Sequence, residues 1–162
     1  MLKKVFKTGS GTSKASSRDK PADYDVMIRM LLVGDAGKRV KLQIWDTAGS
    51  FRYQGNPAGE FRGVQAVILV YSISDRRSFH SIRHWLQEVR AHAIPQVNKI
   101  LVGTKCDRTD RMVSEEEGRK LAEEAGCLFM EASAQTAENV QAVFTTVAGE
   151  ALHRILKEYG KQ

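Results

Sequence analysis

From Asp23 onward the apolar positions follow two rhythms that take turns along the chain. Residues 27–34 form an apolar run closed by a turn signal, which reads as a buried strand. Residues 39–45 alternate, with Val40, Leu42 and Ile44 on one face. Residues 66–73 (AVILVYSI) are almost continuously apolar, the pattern of a parallel strand buried on both sides. Residues 99–103 and 127–130 predict two more short strands. Between them the period lengthens. Over 78–91, Phe79, Ile82, Leu86 and Val89 fall on one helical stripe, with Ser78 as the candidate cap. Ser114-Glu115-Glu116-Glu117 is a capping-box signature, and the helix it opens is expected to stop at Gly126. Over 138–159, Val140, Phe144, Val147, Ala151 and Ile155 carry a third helix. Strands alternating with helices imply crossover units and a parallel sheet, hence an α/β fold in three layers.

The chain of 162 residues is long enough for one domain with its own core. No apolar run approaches the roughly 20 residues of a membrane helix. The opening MLKKVFKTGSG has no signal-peptide core. Cys106 and Cys127 show no paired spacing, so a reduced, cytoplasmic setting is expected. The net charge of +6 is unevenly spread: residues 1–20 carry +5 of it, leaving +1 for the rest. Residues 1–22, rich in Ser, Gly, Thr and Lys, read as a disordered basic extension. It is either a solubilising tail or a weak attractor for anionic surfaces. Residues 23–159 form the expected domain, and 160–162 a short tail. With its basicity assigned to the extension, the chain is expected to have no specific nucleic-acid binding.

Three short segments carry the candidate chemistry. Trp45-Asp46-Thr47-Ala48-Gly49 follows a predicted strand, which sets Asp46 at the ligand edge of an open α/β sheet. A strand-ending turn with a capping Asp would read the same way. Thr104-Lys105-Cys106-Asp107 follows another strand, and Glu131-Ala132-Ser133-Ala134 a third. In this order and spacing they resemble the guanine-nucleotide motifs of the Ras superfamily. RSFHSIRHWLQEVR and the long stretch VSEEEGRKLAEEAGCLFMEASAQTAENVQAVF are similar to the Rab branch. The resemblance spans about residues 23–157 with one large gap.

That resemblance implies a truncated P-loop small-GTPase fold of about five strands and three main helices. It also implies GTP and GDP as ligands, Mg²⁺ as cofactor, and effector proteins of vesicle traffic as partners. Asp46 matches the Mg²⁺ position and Gly49 the N–H donor to the γ-phosphate. The Asp107 carboxylate would accept two hydrogen bonds from the guanine N1–H and exocyclic amine, the geometry that tells guanine from adenine. The Lys105 stem would cover the base. Thr104 replaces the family Asn, which ties neighbouring loops. Ser133 belongs to the same guanine motif, with the Ala134 N–H aimed at the guanine O6, and Gln135 stands where the family often has Lys.

The chain also departs from the family. After the first predicted strand it reads Gly34-Asp35-Ala36-Gly37-Lys38-Arg39-Val40, without the G-x-x-x-x-G-K-[ST] loop that cradles phosphates. The switch I Thr is missing with it. Lys38 reads as part of a later hairpin. The alternative is a compressed loop using Gly34 and Lys38 for phosphate. Without the loop, two or three base contacts at about 1.5–3 kcal/mol each barely exceed the cost of association. A millimolar or weaker site is expected. Ser50 occupies the position of the catalytic Gln and is too short to orient water. Gly55, Pro57 and Gly59 oppose a switch II helix. No cysteine stands near the C-terminus, so no prenyl anchor is expected, and Leu2 excludes N-myristoylation.

The four residues 35–38 cannot span a parallel crossover. Residues 27–45 are therefore expected to form an antiparallel hairpin in an otherwise parallel sheet. The missing first helix should leave an apolar patch on one face, which favours protein partners. Three functions follow: a pseudo-GTPase that acts as an interaction module with weak or absent nucleotide binding and hydrolysis, an active GTPase with a rebuilt phosphate site, or a non-functional truncated product of splicing or gene prediction.

Overall fold

The computed structural model describes residues 42–44 and 61–159. Three parallel strands form the sheet in the order β1-β2-β3: β1 (Ala66–Ser72), β2 (Asn98–Thr104) and β3 (Leu128–Ala132). Three helices alternate with or follow them: α1 (Arg76–His92), α2 (Glu115–Ala125) and α3 (Val140–Tyr159). The register sets Tyr71 beside Gly103 and Ser72 beside Thr104, and it sets Gly103 beside Glu131 and Thr104 beside Ala132. The strand ends that carry the second and third motifs are thus neighbours by sheet geometry.

Period-two alternation in β1 sends side chains to two cores. Val67, Leu69, Tyr71 and, just past the strand, Ile73 join Ile82, Leu86, Val89 and Leu121 beneath α1 and α2. Ala66 and Ile68 join Ile100, Val102, Val143, Val147 and Ala151 beneath α3. The near-continuous apolar run of β1 is explained by this burial on both faces. On the α3 side, Val70, Met130 and Phe144 remain only half-buried.

The helix caps differ in how well the sequence foretold them. Ser114 accepts from the Glu117 N–H while the Glu117 carboxylate accepts from the Ser114 N–H, a complete capping box. Gly126 closes α2 in the left-handed region at φ 63°, which costs glycine little. For α1 the cap is Asp75, whose carboxylate accepts from the Arg77 N–H at 2.8 Å, and not Ser78. Ser78 lies inside the helix and is buried. Its hydroxyl donates to the Asp75 carbonyl and accepts from the Ser72 N–H, tying α1 to the end of β1. The third strand starts one residue later and ends two residues later than the expected 127–130, and α3 starts at Val140 rather than 138.

The antiparallel hairpin over 27–45 is not borne out. Only residues 42–44 of it are described. They form no strand, and every strand pairing among the described residues is parallel. Residues 1–22, 23–41 and 45–60, together with 160–162, lie outside the described residues.

Candidate functional site

The second and third motifs meet at the carboxyl edge of β2 and β3. Thr104 ends β2 and its hydroxyl donates to the Tyr71 carbonyl at 2.8 Å, which ties β2 to β1. The chain then turns at Lys105, held at φ 62°, a left-handed conformation that a Lys rarely adopts. An Arg108 N–H to Lys105 carbonyl bond of 3.0 Å closes this turn. The Cys106 N–H donates to the Ala132 carbonyl at 3.3 Å, so the turn is stitched to the end of β3. Lys105 and Asp107 are left exposed at the rim.

Ser133 organises this edge. It is fully buried, and its hydroxyl donates to the Asp107 carboxylate while accepting from the Gln135 and Thr136 N–H groups, each at 3.1 Å. A hydroxyl has one proton and two lone pairs, and all three are engaged. That fixes one oxygen of Asp107 and leaves acceptor capacity facing outward. The exposed Ala134 follows directly and lies on the same rim. This constellation can grip a flat group that offers two adjacent N–H donors to a carboxylate and one acceptor to a backbone N–H. The edge of guanine is such a group.

Several supporting residues escaped the sequence reading. The Ser133 N–H donates to the Glu138 carbonyl at 3.0 Å, and Asn139 donates its side-chain amide to the Glu131 carbonyl at 2.8 Å. Ala137 and Asn139 have φ of 63° and 56°. The loop from Glu131 to Asn139 is thus folded back on itself and stores some backbone strain. The only sequence signal was an Asn, a residue that tolerates this conformation. Cys106 points its thiol at the Glu138 carboxylate, 3.7 Å away. Burial first, then that negative charge, raises its pKa above the usual thiol range, so it is not a ready nucleophile.

On the opposite side, Arg111 makes a two-pronged ion pair with Glu131, both bonds at 2.7 Å, and its guanidinium also donates to the Val113 carbonyl. This pins the connection before α2 to β3.

Of the predicted site residues, the structure brings together Thr104, Lys105, Asp107, Ser133 and Ala134. Gly34, Lys38, Asp46, Gly49 and Ser50 lie outside the described residues. Among the described residues, no group of three or more His, Cys, Asp or Glu side chains could hold a metal ion. In the family Mg²⁺ is held largely by phosphates and by Asp46-type residues.

Comparison with known proteins agrees with this arrangement. Residues 16–153 match the Ras family. The chain is 35% identical to Ras-related protein Rab-8B of Dictyostelium discoideum, over 90% of this chain and 89% of that protein. It is 48% identical to GTP-binding protein ypt2 of Schizosaccharomyces pombe, over 78% and 82% respectively. It is 36% identical to Ras-related protein RABE1e of Arabidopsis thaliana, over 83% and 79%. Members of this family bind guanine nucleotide with Mg²⁺ and engage protein effectors. These matches show that the chain belongs to the Ras family, as a Rab-like small GTPase.

Proposed function

We propose that this chain is a pseudo-GTPase: a cytoplasmic, Rab-like interaction module of vesicle traffic whose nucleotide site is reduced to its base half. One observation carries the reading. Asp107, Ser133 and the turn at Lys105 are assembled at the sheet edge, while the segment after Gly34-Asp35 offers no phosphate loop. The alignment with the Dictyostelium relative supports it. That alignment runs over 182 residues, longer than this chain of 162, so family positions inside the match have no counterpart here.

A phosphate loop supplies several N–H groups, a helix N-terminus and a Lys. Nothing among the remaining motifs replaces them. Ser50 in place of Gln removes the group that would orient water for hydrolysis. Partners would then read the surface of the protein rather than its nucleotide state.

The test is a thermal melt of the purified chain, alone and with millimolar GDP or GTP plus Mg²⁺, with ATP as the control. A ligand at a hundred times its Kd adds about 2.7 kcal/mol, which shifts the midpoint by several degrees. The expected result is a cooperative melt that guanine nucleotides do not move. A guanine-specific, Mg²⁺-dependent shift would establish a rebuilt phosphate site and defeat the proposal. A melt without cooperativity would defeat it as well, since an interaction module must fold.

A further inference from the structure

The net charge of the domain conceals a polarised helix. α1 carries Arg76, Arg77, Arg83 and Arg90, and Glu88 is its one acidic residue. Arg76, Arg83 and Arg90 are spaced by seven, so they lie in one row, about 10 Å apart per step. α2 runs alongside with Glu117 and Glu124, also spaced by seven. Arg76 pairs with Glu117, and Arg83 approaches Glu124 at 4.0 Å. A third rung would need a carboxylate opposite Arg90, but α2 has already ended at Gly126.

Arg90 is exposed and makes no ion pair among the described residues. Lys99, near the start of β2, points to the same face of the sheet as Leu101, which packs in the core beneath α1. The second rung is loose as well, with the Arg83 side chain 70% exposed and Glu124 49% exposed. Two to three cations are therefore gathered at the end of a ladder that lacks its last acid.

We propose that this end of α1, with Arg83, Arg90 and Lys99, docks an acidic segment of a partner protein whose carboxylates complete the ladder. The proposal does not depend on the state of the nucleotide site, which lies at the opposite end of the strands. Charge pattern argues for a narrow, linear partner over an anionic membrane. The exposed Glu124 of α2 stands beside the arginine row, and Glu116 and Glu123 are exposed on the same helix. A flat anionic surface would meet them too, whereas a single acidic helix can follow the row alone.

The probe is a helical peptide of roughly 20 residues, long enough for three rungs, with glutamate at every seventh position on an alanine–glutamine background. Backbone amide NMR shifts of the full chain report where it lands, and titration at low salt gives the affinity. The proposal expects shifts in the second half of α1, at the start of β2 and at Cys127–Leu128. It expects about fivefold weaker binding in the Arg90→Gln/Lys99→Gln variant, the effect of two exposed ion pairs. Replacing Lys3, Lys4 and Lys7 by Gln should change nothing.

Shifts confined to residues 1–20, or an affinity untouched in Arg90→Gln/Lys99→Gln, would overturn it. Binding of phosphatidylserine-rich vesicles that depends on Arg90, with no response to the peptide, would also overturn it in favour of a membrane.

Discussion

The Tyr71 hydroxyl shows how much one buried atom can decide. Tyr71 is 1% exposed and stacks edge-on with Phe79 at 4.9 Å, but its hydroxyl has no hydrogen-bond partner among the described residues. Burial drives its pKa far above the usual phenol value, and nearby Glu131 adds to the shift, so it stays neutral. A buried donor without a partner costs about 1–3 kcal/mol. Tyr71→Phe keeps the ring packing and removes that penalty. It should stabilise the chain by about 1 kcal/mol in urea unfolding. The space around the hydroxyl is made by glycines. A Cβ at Gly118 would fall on the hydroxyl and only 2.6 Å from the Phe129 ring. Gly118→Ala should therefore cost about 1–3 kcal/mol by overpacking, even though alanine favours helices. Tyr71→Phe should rescue it only in part, because Phe129 still stands in the way.

At the scale of one element, α2 is the clearest case of sequence writing structure. Its first turn holds Ser114 and Glu117 in reciprocal bonds, and the Glu117 carboxylate also receives the Arg76 guanidinium from the start of α1. One side chain thus caps its own helix and joins it to its neighbour. Arg76, followed by the Ser114 bonds, lowers the Glu117 pKa from 4.5 to about 2. The unfolded carboxyl takes up a proton near 4.5, which the folded one refuses until about 2. The stabilisation is therefore complete above the higher value and is lost as pH falls toward the lower one. The acid limb of a stability–pH curve should flatten in Glu117→Gln, with Tm lower than the parent at pH 7 and nearly equal to it at pH 2. Ser114→Ala removes the other half of the box and should cost about 1 kcal/mol at pH 7. The contrast with α1 shows where local reading stops. Ser78 and Asp75 are both acceptable caps by type, and tertiary context chose between them: the Ser78 hydroxyl was needed to bond the end of β1.

Across the whole molecule, the parallel sheet and the meeting of the second and third motifs at one strand edge were legible, because each rests on short-range signals. Apolar runs announced β1 and β2, and Asp107 and Ser133 stood in motifs whose spacing brings them to one edge. The charge row on α1 was hidden by a sum over the domain, and the clasp from Glu131 to Asn139 by its dependence on backbone conformation. The hairpin inferred from a short connection was an argument from chain length alone, and no pairing among the described residues supports it. The two ends of the sheet are held by different means, and this allows stability and recognition to be separated. At the carboxyl end, Asn139 holds the loop that positions Ser133 and Asp107. At the amino end, Arg154 of α3 reaches Asn98 Oδ1 at 2.9 Å, Gln65 Oε1 at 2.7 Å and the Gln65 carbonyl at 3.3 Å. Its side chain is only 16% exposed, so these bonds are shielded from water. Arg154→Met keeps the stem and leaves two acceptors unpaired, which should cost about 2 kcal/mol in urea unfolding. The amide shifts of Lys105, Asp107 and Ala134 should stay in place, because the arginine lies at the far end of the strands. Asn139→Ala should do the reverse, displacing those three resonances while costing less stability, since it frees a single exposed carbonyl. If Arg154→Met moved the carboxyl-edge resonances as strongly, α3 would be transmitting strain along its length, and the two ends would not be independent.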